Sequence, residues 1–319
     1  MNENVARMYE ELSDASELRS RVSDIIGETG TTQGKVAKEA GVSPAALNQW
    51  LQEKYKGDNA EVESKLLKWL AARERRTVAG ETMPGVADYV ATPAGERIKG
   101  VLSYAQAAAD LAVIYGGAGV GKTRAIKSYA ASSPNVWVAT MRPDTACVAS
   151  CLEEIGESVG LKMASRAARQ SRDLSRKFEG TGGLLVIDEA QHLNIAAIEA
   201  IRSIYDVAGI GLVFCGNESV YARMTGGSRA ATFAQLFSRI GKRLRLSQPS
   251  KADVTALADA FGVNGTAERQ ALQEISQRPG ALRSVVKVIR FAAVMATGSG
   301  EVVNLHYISS AWKELGGEA

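Results

Sequence analysis

Residues 111–123 have the sequence LAVIYGGAGVGKT, which is the strongest indication of fold class in the chain. It begins with an apolar run typical of a buried strand, and residues 116–123 then match the pattern G-x-x-x-x-G-K-[ST] in full. A helical stretch, residues 124–131, follows directly. A strand, a glycine-rich loop and a helix in this order surround phosphate groups with backbone N–H groups and the positive end of a helix dipole. The stretch therefore predicts an α/β domain that binds a nucleoside triphosphate.

The side chains of this loop have separate expected roles. Lys122 is placed to reach the β- and γ-phosphates, and the Thr123 hydroxyl is placed to ligate Mg²⁺. The sequence thus predicts ATP and Mg²⁺ as ligands. The residues expected to bind them here are Gly116, Gly117, Ala118, Gly119, Val120, Gly121, Lys122 and Thr123.

A second apolar run ends in two acids, with the sequence LLVIDE at residues 184–189. Asp188 is expected to hold Mg²⁺ through water, and Glu189 is expected to polarise the attacking water. A kinase has less need of this pair, so the pattern favours hydrolysis. We therefore predict that Glu189 is the general base of an ATPase.

Two further polar residues are predicted to act on the phosphates. Asn217 follows the apolar run 212–215, and an amide at the carboxyl end of a strand beside the phosphate loop is placed to position water. Arg283 opens a helix after Pro279 and Gly280 and is placed to reach the phosphates from a helical region.

The rest of the chain gives the domain organisation. Four apolar runs separated by amphipathic segments predict buried parallel strands joined by crossover helices: 111–115, 136–140, 184–187 and 212–215. After about Gln248 the pattern predicts only helices, at 251–262, 266–277, 281–297 and 304–315. We predict an N-terminal helix-turn-helix domain at 1–75, a linker at 76–95, an α/β core at 96–247 and a C-terminal helical lid at 248–319.

The N-terminal domain contains a candidate DNA-reading element at residues 33–52. Gly41 is expected to form the turn, and Ser43 followed by Pro44 is a typical start of a second helix. Asn48 and Gln49 would then face outward, and such amides bind base edges in the major groove. This face has few cations, so we expect non-specific DNA contact, with a domain used for protein contact as the alternative.

A run of cations is the sharper candidate for holding DNA. It contains Lys162, Arg166, Arg169, Arg172, Arg176 and Lys177 against the single acid Asp173. The arginine spacing of three or four residues places these side chains on one helix face, where they would bind phosphates without reading bases. Lysine plus arginine minus acids is 13 − 7 = +6 for residues 223–319, so this basic part is a second candidate surface, for DNA or a protein partner.

Composition excludes several classes of protein. The 319 residues are 45% hydrophobic and 23% charged, as in globular proteins, and no stretch has the roughly 18 consecutive apolar residues of a membrane helix. The N-terminus has no secretory signal pattern, and three cysteines do not form a disulfide framework. We expect a soluble protein of the bacterial cytoplasm with no membrane partner.

The order of these motifs resembles that of AAA+ ATPases. The resemblance implies that Asn217 is the first sensor of the nucleotide and Arg283 the second. Such ATPases act as rings or helical filaments in which an arginine of one subunit completes the site of its neighbour. The segment Phe237-Ser238-Arg239-Ile240 is similar to the source of that arginine, so Arg239 is the expected residue, with Arg223, Arg229 and Arg243 as competitors.

Over residues 27–315 the chain also resembles the transposition protein B of Mu-like phages. Besides the helix-turn-helix and the basic run, the motifs that support this are Met224-Thr225-Gly226-Gly227 and Lys251-Ala252-Asp253-Val254. The resemblance implies a homo-oligomer that coats double-stranded DNA of any sequence in its ATP-bound form. It would deliver that DNA to a transposase and leave it on hydrolysis. The alternatives are a helicase-loader-like or protein-remodelling ATPase, and a transcriptional regulator that reads one operator.

Overall fold

The computed structural model of the chain describes residues 14–28, 31–82, 89–162, 164, 166–225 and 240–317. The chain divides into two compact units, Met1–Gly85 and Val86–Ala319. This division lies inside the stretch that the sequence predicts as a linker, residues 76–95.

Over its described residues, the first unit consists of helices around one hydrophobic core. These helices are α1 (Ala15–Glu28), α2 (Gln33–Ala40), α3 (Pro44–Leu51) and α4 (Asn59–Thr82). Each contributes to the core, through Leu18, Val36, Trp50 and Leu66 among others. The Trp50 indole N–H donates to Glu63 Oε1 at 3.1 Å, so this buried polar group keeps a partner.

Helices α2 and α3 occupy the predicted segment 33–52. Gly41 ends α2 in the left-handed conformation (φ 69°), and the Ser43 hydroxyl oxygen accepts the Ala46 N–H at 3.1 Å at the start of α3. Leu47 and Trp50 point into the core. The local geometry follows from the glycine and the cap, while the assignment of this segment to DNA binding stays a prediction.

Helix α4 is longer than the sequence pattern indicates. It continues to Thr82, so the beginning of the predicted 76–95 linker is helical. Gly80, Pro84 and Gly85 favour a linker, but a single glycine costs a helix only about 1 kcal/mol, so Gly80 is accommodated within α4 and Pro84 follows only after its end.

The second unit is built on a five-stranded parallel sheet in the order β2-β3-β4-β1-β5. The strands are β1 (Leu111–Gly116), β2 (Val136–Thr140), β3 (Leu184–Asp188), β4 (Gly211–Gly216) and β5 (Ile240–Leu246). The three central strands are almost fully buried, which explains their continuous apolar sequences.

Helices cover both faces of this sheet. They are α5 (Pro93–Ala108), α6 (Lys122–Ser132), α7 (Val148–Ser158), α8 (Ala167–Phe178), α9 (Ile195–Ala208) and α10 (Glu218–Thr225). Leu111 and Val113 point into the core shared with α7, α8 and α9, whereas Ala112 and Ile114 point into the core shared with α5 and α6. Alternate side chains of one strand therefore fill two separate layers.

Strand β5 is missing from the strands predicted above, and its composition explains the omission. Its sequence IGKRLRL has only three buried positions, Ile240, Leu244 and Leu246, and carries three exposed cations. It lies at the edge of the sheet and pairs with β1 alone, so its outer side chains need not be apolar.

The C-terminal region is helical, as predicted. It contains α11 (Lys251–Ala260), α12 (Thr266–Ser276), α13 (Ala281–Gly298) and α14 (Leu305–Glu314), which share a core that includes Leu272, Val285 and Ile308. The predicted fold class is confirmed: an α/β parallel sheet flanked by helices, with a helical C-terminal region. None of the described helices is long and apolar enough to cross a membrane.

Candidate nucleotide-binding site

The phosphate loop lies at the carboxyl edge of the sheet. It connects the end of β1 at Gly116 to the start of α6 at Lys122, which is where ligands bind in open parallel sheets. Gly119 (φ 81°) and Gly121 (φ 95°) adopt left-handed backbone conformations. Because glycine reaches these conformations without steric cost, the loop can turn its N–H groups toward an anion.

The loop is packed tightly between two other elements. A Cβ added at Gly116 would meet the carbonyl oxygen of Leu246, at the end of β5. One added at Gly119 would meet the carbonyl oxygen of Gly280, directly before α13. The glycines therefore bring the helical region that carries Arg283 against the phosphate loop.

Lys122 is folded onto its own loop. Its Nζ donates to the carbonyl oxygens of Gly116 at 2.9 Å and Gly117 at 2.8 Å. These neutral acceptors leave the ammonium charge unbalanced, so a phosphate would be a stronger partner.

Thr123 and Asp188, the two residues predicted to hold Mg²⁺, lie within hydrogen-bond distance of each other. The Thr123 hydroxyl donates to Asp188 Oδ2 at 2.8 Å, and Asp188 is only 1% exposed. A hydroxyl and a carboxylate oxygen are ligands that suit Mg²⁺. The donor set therefore fits this ion.

Glu189 adopts a left-handed backbone conformation (φ 53°, ψ 37°), which costs a non-glycine residue about 1 kcal/mol. Its backbone N–H donates to Asp188 Oδ1 at 3.0 Å. Both carboxylate oxygens of Asp188 thus have donors, and the turn directs Glu189 away from the strand that carries Asp188.

Cys215 lies on β4 beside this acid. Burial raises the pKa of the Cys215 thiol well above its usual range, and the negative charge of Asp188 raises it further. The thiol is therefore uncharged and packs in the core beside Asp188.

Asn217 lies at the tip of β4, as predicted, and also begins α10. Its Oδ1 accepts the backbone N–H of Ser219 at 2.9 Å and the Ser219 hydroxyl at 2.6 Å. This leaves the Nδ2 group of Asn217, for which the described residues provide no partner, as the donor available to a ligand.

A cleft of about 430 Å³, including its open mouth, lies next to the loop. Its apolar lining comes from four separate parts of the chain: Pro93, Ala94, Val120, Leu246, Pro249 and Leu282. Its remaining walls are polar and include Arg97, Gln248 and Ser250, so the cleft offers both apolar surface and hydrogen-bonding groups to a ligand beside the phosphate site. Local sequence patterns do not predict this cleft, because its walls meet only in the folded chain; Pro93 and Pro249 are weak sequence signals for it.

Asp253 holds two walls of this cleft together. It is 3% exposed, its Oδ1 accepts the Ala94 N–H at 2.7 Å, and its Oδ2 accepts the Ser250 N–H at 2.8 Å and the Ser250 hydroxyl at 2.6 Å. A buried carboxylate with three donors ties the start of α5 to the start of α11.

Some of the arginines predicted to act on the phosphates lie within the described residues and others do not. Arg283 is exposed on the first turn of α13, close in sequence to the Gly280 that touches the loop. Arg243 is exposed on β5. Arg239 and Arg229 lie outside the described residues, as does the side chain of Arg223, so the assignment of the arginine that acts on a neighbour stays a prediction.

The predicted basic face is present on α8. Arg169, Arg172 and Arg176 are exposed on the side opposite the buried Leu174 and Phe178. Arg166 precedes the helix as its N-cap rather than lying on its face, and Lys162 and Lys177 are exposed nearby. On α3, Asn48 and Gln49 are exposed too, and Asn48 Oδ1 accepts Gln52 Nε2–H at 3.1 Å.

The sheet order, the phosphate loop and the acid pair are typical of one class of protein, and the comparisons agree with it. A family model described as an AAA domain matches residues 106–224. In fold the chain is similar to Drosophila ORC bound to DNA (TM-score 0.55, 12% identity, 76% of this chain and 66% of that one). It is also similar to the Aeropyrum pernix ORC1 protein in complex with DNA (TM-score 0.52, 17% identity, 72% of this chain and 67% of that one). The chain therefore contains an AAA domain and has the fold of AAA+ proteins.

Its sequence relatives are more specific. The chain is 40% identical over 301 residues to the ATP-dependent target DNA activator B of Escherichia phage Mu, covering 94% of this chain and 95% of that protein. It is 39% identical to the protein of that name in Escherichia phage D108, with the same coverage. The Mu B transposition protein C-terminal model matches residues 238–315. The chain belongs to the family of phage transposition B proteins.

Proposed function

We propose that this chain is an ATP-switched DNA-binding protein that selects target DNA for a transposase. With ATP bound, it assembles as a helical filament on duplex DNA of any sequence, delivers that DNA to the transposase and stimulates strand transfer. The observation that carries the proposal is the presence, in one compact unit, of the phosphate loop with its Thr123–Asp188 pair and of the arginine face of α8. The printed names of the Mu and D108 relatives support it.

The chain's own groups account for ATP binding. The Lys122 ammonium group donates to phosphate oxygens in place of its loop carbonyls, and the loop N–H groups surround the same oxygens. The cleft beside the loop accommodates the base. Thr123 and Asp188 hold Mg²⁺, which would supply positive charge to the β- and γ-phosphates.

Hydrolysis needs a base, and we assign this role to Glu189. Its carboxylate accepts a proton from the water whose oxygen attacks the γ-phosphorus, while the bond from that phosphorus to the departing ADP oxygen breaks. Asn217 donates from Nδ2 to hold the water or the γ-phosphate, and Arg283 and the neighbour's Arg239 stabilise the charge that develops. The turnover is slow and serves to reset the assembly.

DNA is held by its backbone rather than by its bases. Arg169 lies 4.0 Å from Asp173, while Arg172 and Arg176 form no ion pair with another described residue. Guanidinium groups of like charge on one face repel each other until phosphates lie opposite them. Lys162, Arg166 and Lys177 extend the same surface, and Asn48 and Gln49 add contacts that do not select one sequence.

The first test is equilibrium binding of the full chain to fluorescently labelled random-sequence duplex DNA with ATP, with ADP and without nucleotide. We expect at least about tenfold tighter binding with ATP, equal for unrelated sequences. Protein that binds ATP but not duplex DNA would instead support the helicase-loader or remodelling function. Protection of one defined site would support a transcriptional regulator.

A further inference from the structure

Gln191 forms hydrogen bonds with the residues that follow two neighbouring strands, Glu189 after β3 and Asn217 after β4. It lies in the single-turn segment Ala190–His192 that follows Glu189. Its Nε2 group donates to Glu189 Oε2, and its Oε1 accepts the backbone N–H of Asn217 at 3.3 Å. One amide side chain therefore connects the general base to the residue placed to read the γ-phosphate.

The end of β4 is shaped to receive this amide. A Cβ added at Gly216 would meet Gln191 Oε1 and Val220 Cγ2. The Gln191 side chain is thus seated in space that glycine leaves open, and its orientation is fixed from both ends. The position of the Gln191 amide therefore depends on the glycine at 216 as well as on its two hydrogen bonds.

The other polar groups of the site are also held by hydrogen bonds within the protein. Lys122 bonds its own loop carbonyls, and Thr123 bonds Asp188. These bonds must be exchanged when ATP and its metal ion enter. The hydrogen bond from the Gln191 side chain likewise fixes the direction of the Glu189 carboxylate.

We infer that Gln191 is a positioning residue that restrains Glu189 and keeps basal ATP turnover low. A general base must turn a carboxylate oxygen toward the proton that it takes, and the Gln191 N–H holds one oxygen in another direction. Because the same side chain is attached to the tip of β4, movement of Asn217 onto the γ-phosphate loosens the restraint. The inference rests on the proposed function in one respect: it needs Glu189 to be the base.

The test compares steady-state ATP hydrolysis by the full chain with that of Gln191→Ala and Gln191→Glu. The glutamate variant keeps an acceptor for the Asn217 N–H but has no N–H to donate to Glu189. We expect kcat to rise roughly 3- to 10-fold in both variants, as loss of one hydrogen bond predicts. KM stays unchanged in the alanine variant, whereas the added negative charge of the glutamate variant raises it. If thermal unfolding shows that the alanine variant is unfolded, the glutamate variant decides the outcome.

Two controls separate this effect from a structural one. Gln270 donates to Glu274 Oε1 at 2.9 Å on the surface of α12, so Gln270→Ala removes the same kind of bond outside the site and leaves kcat unchanged. Combining Gln191→Ala with Glu189→Gln removes the gain, because the restraint acts only through Glu189.

The outcomes are distinct. A fall in kcat, an unchanged kcat, or a rise in KM alone would overturn the inference. So would a gain in the alanine variant that the glutamate variant lacks, since the donated bond would then not be the restraint. A wild-type chain that binds ATP and never hydrolyses it would overturn the proposed function as well, whereas the other failures leave that function intact.

Discussion

At the scale of single residues, the side chains of the phosphate site already hold one another in place. Lys122 bonds two carbonyls of its own loop, and Thr123 bonds the buried Asp188. The site is therefore preorganised, and its ligands replace existing bonds instead of ordering loose side chains.

We expect Lys122→Ala to weaken ATP binding roughly 100-fold, because the variant loses a charge-assisted bond to the phosphates. Titration with a fluorescent ATP analogue measures this. Lys127→Ala, which removes an exposed charge further along α6, serves as the matched control and keeps wild-type affinity. Normal ATP affinity in Lys122→Ala would show that the loop does not hold the phosphates.

Glu189→Gln should bind ATP with wild-type affinity and hydrolyse it at least about 100-fold more slowly, since an amide cannot take a proton from water. Single-turnover hydrolysis and the lifetime of the ATP-dependent DNA complex report the two effects, and the complex should persist. Glu179→Gln, an exposed change at the end of α8, is the control. Normal turnover in Glu189→Gln would mean that another group is the base.

At the scale of elements, α8 combines a buried apolar face with an exposed row of arginines. Leu174 and Phe178 anchor it in the core of the sheet, while Arg169, Arg172 and Arg176 stand on the opposite side. The rigid inner face fixes the spacing of the arginines, which suits the regular spacing of phosphates.

Replacing both Arg169 and Arg172 with alanine should weaken binding to all duplex sequences equally, by about tenfold or more at fixed salt. The slope of log affinity against log salt should become shallower by about 2, since two phosphate contacts are lost. Anisotropy titrations over a range of salt concentrations measure both quantities.

The matched variant removes two exposed lysines of the C-terminal helices, Lys251 and Lys287. It should change the affinity and the salt slope less than the α8 variant. A larger loss in the lysine variant would place the DNA path on the C-terminal helices.

The buried carboxylate of Asp253 connects the start of α5 to the start of α11. Asp253→Ala leaves the donors of Ala94 and Ser250 unpaired, so we expect a loss of about 2–3 kcal/mol in the free energy of unfolding and a higher KM for ATP. Asp259→Ala on the same helix removes only a partly exposed ion pair with Arg269 and should cost less than about 1 kcal/mol. Denaturant unfolding compares the two, and equal losses would contradict the role given to Asp253.

The elements differ in how well sequence alone predicts them. Strands β1 to β4 and helices α11 to α14 follow from local patterns, because buried strands and amphipathic helices carry their periodicity in consecutive residues. Strand β5 does not, because an edge strand with exposed Lys242, Arg243 and Arg245 lacks that pattern. The extent of α4 is not predicted because Gly80, Pro84 and Gly85 together favour a linker, whereas Gly80 lies within the helix, where a single glycine costs only about 1 kcal/mol.

The candidate site divides in the same way. The phosphate loop, Asp188 and Asn217 are short motifs, and their positions are predicted by spacing. The cleft beside the loop is formed by residues that are distant in sequence, which local patterns do not bring together. The two hydrogen bonds of Gln191 depend on the orientation of one side chain, which local patterns do not specify. The roles of Arg239, Arg283 and the α8 arginines remain predictions.

At the scale of the whole molecule, the proposed function joins a nucleotide switch to DNA binding that does not depend on sequence. The phosphate loop and the arginine face of α8 both lie in the second compact unit, and the chain belongs to the family of phage transposition B proteins. We propose that ATP drives assembly of many copies along one duplex.

Negative-stain electron microscopy of the protein on random-sequence duplex DNA, with ATP, with ADP and without nucleotide, tests this proposal. We expect continuous filaments with ATP, bare DNA in the other two conditions, and bare DNA for Lys122→Ala throughout. Bare DNA in all three conditions, from protein shown to bind ATP, would contradict it.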